Sequence, residues 1–138
     1  MKRKPVVTAF LQKNKKILIC RRSEKVGTYR GEWAAISGHL EDNSPLAGVK
    51  REIKEETGLS GEDIQLLSEG DSIIIDDHDN NLYWRVYPFL FKIISDKKIK
   101  LNYENIEYRW IKPQQLEQFT TVPKLKEAWE RVNIDRPE

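Results

Sequence analysis

The sequence predicts an α/β fold, a mixed sheet sandwiched with helices. Short β-branched and aromatic runs recur along the whole chain, and two segments of helical period interrupt them. At 138 residues the chain has one domain's length. Folding at this size buries roughly two-thirds of the unfolded surface, enough for a core without disulfides. We therefore expect one domain over residues 1–138.

Residues 6–10 and 17–20 are apolar runs flanking a polar turn at 12–16, a hairpin pattern. Residues 21–32 are polar, contain Gly27 and Gly31, and read as a loop. Residues 33–36 form a short strand ending at Ser37-Gly38. Ser44-Pro45 opens a helix, with Ser as N-cap and Pro at the first helical position. Leu46, Val49 and Ile53 make one apolar stripe, and Gly58 stands where a C′ glycine ends the helix.

Residues 64–67 and 73–75 are short strands, and 76–81 a polar hairpin tip. Residues 82–94 form a long strand in which Pro88 marks a bulge or an edge position. Residues 107–111 are a further strand, broken by Lys112-Pro113 and followed by a turn at 114–119. A closing helix starts near Thr121-Val122-Pro123 and carries Leu125, Ala128, Trp129 and Val132 on one face.

Composition excludes several classes. Hydrophobic residues are 38% and charged residues 33%, too apolar for a disordered chain. Lys+Arg is 24 against Asp+Glu 22, a net charge of +2, so bulk electrostatics predicts neither a nucleic-acid nor a membrane partner. No apolar run approaches the ~20 residues of a membrane span. Met1-Lys2-Arg3-Lys4-Pro5 is basic but precedes no signal-type apolar stretch, and reads as a frayed start rather than an address. Cys20 is the lone cysteine, which excludes an intramolecular disulfide and fits a cytoplasmic protein.

The near-zero charge hides a local crowd of acids. In Arg51-Glu52-Ile53-Lys54-Glu55-Glu56-Thr57-Gly58-Leu59, helical spacing brings Glu52, Glu55 and Glu56 onto one face. Each like-charge pair destabilises an isolated helix by ~0.2–0.5 kcal/mol. The macrodipole also disfavours anions near a helix C-terminus. Two penalties at one place point to a cation, and converging carboxylates offer the hard oxygens that Mg²⁺ or Mn²⁺ takes. Arg51 is placed to hold a carboxylate by a bidentate hydrogen bond. A solvated face of Glu/Lys pairs, using Lys50 and Lys54, is the alternative reading of the glutamates alone.

Together with Gly38-His39-Leu40-Glu41, this segment resembles the signature of the Nudix hydrolases: a Gly, five residues, a Glu, seven residues, then Arg-Glu-aliphatic-x-Glu-Glu-x-Gly-aliphatic. The second half matches at every fixed position. The first half is one residue short, and the place of its first Glu falls at the deletion beside Asn43-Ser44. Ile36-Ser37 replaces the usual Pro-Gly. Arg21-Arg22, Gly31-Glu32-Trp33 and the segment from Glu107 to Trp110 extend the likeness over essentially the whole chain.

The resemblance implies an α/β/α sandwich with a mixed β-sheet between helices. It also implies a hydrolase that uses Mg²⁺ (or Mn²⁺) to cleave the pyrophosphate of a nucleotide or nucleoside diphosphate derivative. Carried over, Glu52, Glu55 and Glu56 ligate metal with the Gly38 carbonyl, and Arg51 orients a glutamate. Glu52 is the first choice of general base, with Glu55 beside it in the catalytic group. A further metal-binding acid beyond the box is Glu104 or Glu107, with Glu104 preferred. Arg21 and Arg22 are candidate phosphate ligands, of which alternation lets only one reach the cleft. Trp33 is a candidate for base stacking, against a core role.

Tyr83, Trp84 and Tyr87 read as core or interface aromatics, and strand 82–91 as the surface of a possible homodimer. His39 and His78 receive no role. Asp76, Asp77 and Asp79 lack calcium-loop spacing and read as a solvated turn. The competing class is a Nudix-fold nucleotide-sensing or regulatory module with little turnover, motivated by the shortened box. Decapping or binding of nucleic acid is the weakest reading, since no basic arm is present.

Overall fold

The first strand, β1 (Lys4–Lys13), is buried on both faces, which is why it is apolar from Val6 to Leu11 with the single break at Thr8. The structure, a computed structural model, describes residues 4–135; Met1 to Arg3, where a frayed start was expected, lie outside the described residues. β1 turns through Asn14 and Lys15, at φ of 52° and 64°, into β2 (Lys16–Arg22). Two successive left-handed residues match the twist of a tight hairpin. The strands therefore extend further into the polar run than its composition suggests, with Lys13 opposite Lys16.

The apolar segment 33–36 divides at Ala35. β3 (Trp33–Ala34) pairs with β2, whereas β4 (Ile36–His39) crosses to β1 and sets Gly38 opposite Val7. β7 (Leu82–Ile93) runs parallel to β1, which makes the sheet mixed. The other edge of β7 carries β5 (Ile64–Glu69) and then β6 (Ile73–Asp77), both antiparallel. β8 (Asn105–Ile111) pairs with β2.

Helix α1 (Pro45–Thr57) covers one face of the sheet and α2 (Leu125–Val132) the other. Val7, Ala9 and Leu11 of β1 pack with Val49 and Ile53 of α1. Phe10, on the opposite face, meets Trp129 of α2 edge-on at 5.3 Å between ring centroids. The α/β/α sandwich implied by the sequence is the architecture observed. Ser44 caps α1 by accepting from the Ala47 amide at 3.2 Å, and Gly58 (φ 80°) ends it by donating to Lys54 O at 2.9 Å. A side chain at Gly48 would strike Leu40, so this glycine lets α1 lie close on the loop that precedes it.

Two expectations are corrected. Pro88 is neither on an edge nor in a bulge of its own strand; it lies in the central β7, opposite Thr8. It is tolerated because it falls where β7's neighbour changes from β5 to β6, and its carbonyl accepts from the Gly70 amide at 3.0 Å. The last helix starts at Leu125, later than Thr121-Val122-Pro123 suggests. Residues 120–122 instead bond to Trp33, whose amide donates to Thr120 O at 2.9 Å and whose carbonyl accepts from Val122 at 3.0 Å. No helix among the described residues is long and apolar enough to cross a membrane.

Candidate active site

Helix α1 divides its three glutamates by direction. Glu52 and Glu56 are 6% and 2% exposed, whereas the Glu55 side chain is 51% exposed. The spacing that predicted one shared face brings two carboxylates inward and leaves the third at the rim, because neighbours on a helix diverge by about 100°. Glu104 completes the inner group from the segment before β8, with carboxylate oxygens of Glu52, Glu56 and Glu104 all within 4.8 Å of one another. Glu104 is brought there by an irregular ladder: Arg21 faces Glu107 but Arg22 faces Asn105, so β8 spends an extra residue, Ile106.

Glu56 receives one hydrogen bond, from Asn105 Nδ2 to Oε1 at 3.2 Å. Its Oε2 is buried and has no hydrogen-bond partner among the described residues. Burial pushes the Glu56 carboxyl well above the usual carboxylate range, and neighbouring Glu52 and Glu104 push it further. Glu104 is raised by burial first and by the Glu52 charge second. Carboxyls thus gather in a dry place where the described residues set no cation against Glu56 Oε2. Gly38 is part of the same construction, because a side chain there would overlap the Glu52 carboxyl.

Arg51 organises the outer edge. Its Nη1 donates to Glu52 at 2.9 Å and to Glu55 at 3.2 Å, and Nη2 donates to His39 O at 3.1 Å. Nε and Nη2 also grip Asp42, in the shortened loop before α1. These carboxylates hold the guanidinium pKa above its ordinary value, the Asp42 hydrogen bonds contributing most.

A cavity of about 580 Å³ opens beside this group. Its rim includes Glu52, Glu55, Glu104 and Arg22; its floor is the α2 face of the sheet beyond the helix. Arg22 donates from Nε to Thr28 O at 2.9 Å and is half-buried, which lowers its pKa while Glu56 and Glu104 oppose the shift. Arg21 turns away to Gly31 O and to Glu107, at 3.3 and 3.4 Å, outside the cavity lining. Glu107 is spent on that exposed pair.

Trp33 also lies outside the lining, in the α2-side core against Phe119 at 5.3 Å. The aromatics that do line the cavity are Tyr29, Trp84 and Tyr103, with Trp84 edge-on to Tyr29 at 6.0 Å and to His39 at 6.1 Å. Asp77, expected in a solvated turn, accepts from the Tyr29 hydroxyl at 2.6 Å and ties loop 23–32 to the β6–β7 tip.

Comparison with known proteins decides the family. The model of the NUDIX domain matches residues 2–132. The chain belongs to the NUDIX family. The nucleoside triphosphatase NudI of Escherichia coli O139:H28 is 25% identical over 125 residues, covering 84% of this chain and 86% of that one. A crystal structure of a MutT protein from Methanosarcina mazei Go1 is 25% identical with a TM-score of 0.75, covering 95% of this chain and 94% of its own. A NUDIX hydrolase from Nitrosomonas europaea shares the fold at 20% identity and TM-score 0.77, over 99% of this chain and 97% of its own.

This NUDIX chain is accordingly an enzyme, a pyrophosphohydrolase. Around its box the structure adds Asp42, Asn105 and Tyr29, which sequence reasoning did not single out, and pairs Tyr29 with Asp77, which it read as part of a solvated turn. Only Asp42 left a signal, as an acid within the shortened loop. Asn105 and Tyr29 reach their partners across the fold, which no local pattern records.

Proposed function

We propose that this NUDIX enzyme is a divalent-metal-dependent hydrolase of a nucleoside triphosphate or a nucleoside diphosphate derivative, using Mg²⁺ or Mn²⁺. The observation that carries the reading is Glu56, 2% exposed with one oxygen unpartnered, in reach of Glu52 and Glu104. A buried carboxylate is stable when paired or bound to metal, and oxygen donors of this kind fit a hard cation. Glu52, Glu56 and Glu104 would hold the ion, with the Gly38 carbonyl as a further donor and Glu55 at the rim. The ion's contribution is positive charge against the polyphosphate oxygens.

The chain's own residues supply the rest. Arg22, on the cavity rim, binds phosphate as a fixed cation. Arg51 positions Glu52 and Glu55 without leaving its bonds to the loop. Glu55 is the carboxylate with open access, so we assign it the proton of the attacking water as the phosphoanhydride P–O bond breaks. Glu52, the base suggested by the sequence, is buried; both carboxylates accept from Arg51, so exposure separates them. The nucleoside occupies the cavity, whose volume of about 580 Å³ lies in the range of small-molecule sites. The name of the E. coli relative, a nucleoside triphosphatase, supports a triphosphate. A cytoplasmic setting belongs to the same reading and is supported by the single, unpaired cysteine.

The test is a panel of nucleoside triphosphates, sugar nucleotides and dinucleoside polyphosphates with Mg²⁺ or Mn²⁺, products resolved by ³¹P NMR. Metal-dependent cleavage, reduced about 100-fold or more by Glu56→Gln, is expected. Tight nucleotide binding without metal-dependent turnover of any member would overturn the enzyme reading in favour of a nucleotide sensor.

A further inference from the structure

We propose that the hydroxyl pair Thr8–Ser37 reads the substrate base and selects bases with an exocyclic amino group where their analogues carry a carbonyl. The inference rests on the cavity being the nucleotide site proposed above, and it concerns which nucleotide enters.

Thr8 of β1 and Ser37 of β4 are direct cross-strand partners. Their oxygens are 2.9 Å apart, and both residues line the cavity. Val6, Ile73, Ile75 and Val86 supply apolar lining in the same cavity. A base laid against these residues meets the hydroxyl pair, and Trp84 Nε1, a buried donor with no partner among the described residues, belongs to the same lining. Ser37 is one of the two residues standing where the NUDIX pattern usually has Pro-Gly, so the hydroxyl departs from that pattern.

Counting hydrogens gives the spot its sign. Each hydroxyl carries one hydrogen and two lone pairs. Ser37 Oγ also lies 3.4 Å from Ala35 O, which can only accept. Both hydrogens find partners in one arrangement alone: Thr8 donates to Ser37, and Ser37 donates to Ala35. The reverse arrangement leaves the Thr8 hydrogen without a protein acceptor among the described residues, at a side chain 5% exposed. An unsatisfied buried polar group is the more costly state.

In the satisfied relay neither hydroxyl has a hydrogen left for a ligand, and both oxygens keep lone pairs. In that arrangement the hydroxyl pair is an acceptor patch. It takes an N–H donor and sets oxygen lone pairs against a carbonyl in the same place. Cytosine and adenine present the amino group where uracil and hypoxanthine present oxygen, so the pairs CTP/UTP and ATP/ITP set an amino group against a carbonyl in one place, the neighbouring ring nitrogen changing in the same step from acceptor to N–H donor.

The experiment measures kcat/KM with Mg²⁺ for both pairs, and metal-free Kd for CMP against UMP and AMP against IMP by calorimetry. In whichever pair the enzyme binds and turns over, the amino member is favoured about tenfold in both readouts, the worth of roughly one hydrogen bond. Thr8→Val and Ser37→Ala each bring the ratio close to one, and Thr8→Ser, which keeps the hydroxyl, preserves it. Equal turnover of both members, a preference for the carbonyl member, or a ratio unmoved by Thr8→Val and Ser37→Ala overturns the inference alone. Absence of metal-dependent turnover of any nucleotide overturns the proposed function, and this inference with it.

Discussion

Arg51 grips Asp42 with Nε at 3.0 and 3.2 Å from the two carboxylate oxygens and Nη2 at 2.9 Å from Oδ1. The loop before α1 is a residue short of the NUDIX pattern, and Asp42 is the acid it offers to the box arginine. One guanidinium thereby joins the loop, the buried Glu52 and the exposed Glu55. Asp42 is a positioning residue that acts through Arg51.

Asp42→Asn should therefore lower kcat by about 10- to 100-fold, the usual effect of losing support behind a metal-site carboxylate. The pair is partly solvent-exposed, so its contribution to folding is small. The thermal midpoint should move by only a few degrees. Steady-state kinetics beside a melting curve checks both, and unchanged kcat would show that Arg51 needs no anchor in the loop.

Gly38→Ala tests the closeness of β4 to α1. The new methyl would overlap the Glu52 carboxyl, which is 6% exposed and bonded to Arg51. Glu52 must move, so Mg²⁺ dependence should shift to higher concentration by about tenfold or more. An Mg²⁺ titration of activity that superimposes on the wild type would remove Gly38 from the site.

Glu56→Gln should separate stability from function. The neutral amide removes a carboxyl whose ionisation burial, and then Glu52 and Glu104, oppose in the folded protein. Without divalent metal, the variant should melt roughly 2–6 °C above the wild type, as a gain near 1 kcal/mol gives at this size. Millimolar Mg²⁺ should stabilise the wild type and leave the variant unmoved. Calorimetric scans with and without Mg²⁺ measure this directly, and a variant less stable than the metal-free wild type would contradict the electrostatic account.

The Tyr29–Asp77 tie should give loop 23–32 an acid limit. The Tyr29 hydroxyl lowers the Asp77 pKa, and burial followed by the same bond raises that of Tyr29. A carboxyl whose pKa falls on folding contributes fully above its unfolded value, about 3.9. The contribution drains away as pH falls through the lower folded value. Trp84 lies against Tyr29, so tryptophan fluorescence should report loop release below about pH 4. Tyr29→Phe should abolish that step at neutral-pH activity within a fewfold of wild type, whereas a step that persists unchanged would place its origin elsewhere.

What was legible in the sequence was what neighbours along the chain decide. Ser44, Pro45 and Gly58 bound α1 through local backbone chemistry, and helical spacing alone carried Glu52 and Glu56 to the same side. Pairing across the sheet was less visible. Pro88 reads as an edge residue until β5 and β6 are seen to exchange places beside it, and Trp33 and Trp84 cannot be ranked as core or cavity without knowing which sheet face the cavity occupies. Asn105 and Glu104 reach the glutamates only because β8 lies beside β2, a juxtaposition with no local periodicity to announce it.

The central claim is that Glu52, Glu56 and Glu104 form a divalent-metal site. The most direct measurement is a Mn²⁺ titration of the nucleotide-free protein followed by electron paramagnetic resonance of the free ion. The account predicts saturable loss of the free-ion signal in the wild type, competed by Mg²⁺ and abolished in Glu56→Gln. Wild-type protein that leaves the signal intact at millimolar Mn²⁺, or Glu56→Gln that depletes it equally, would contradict it.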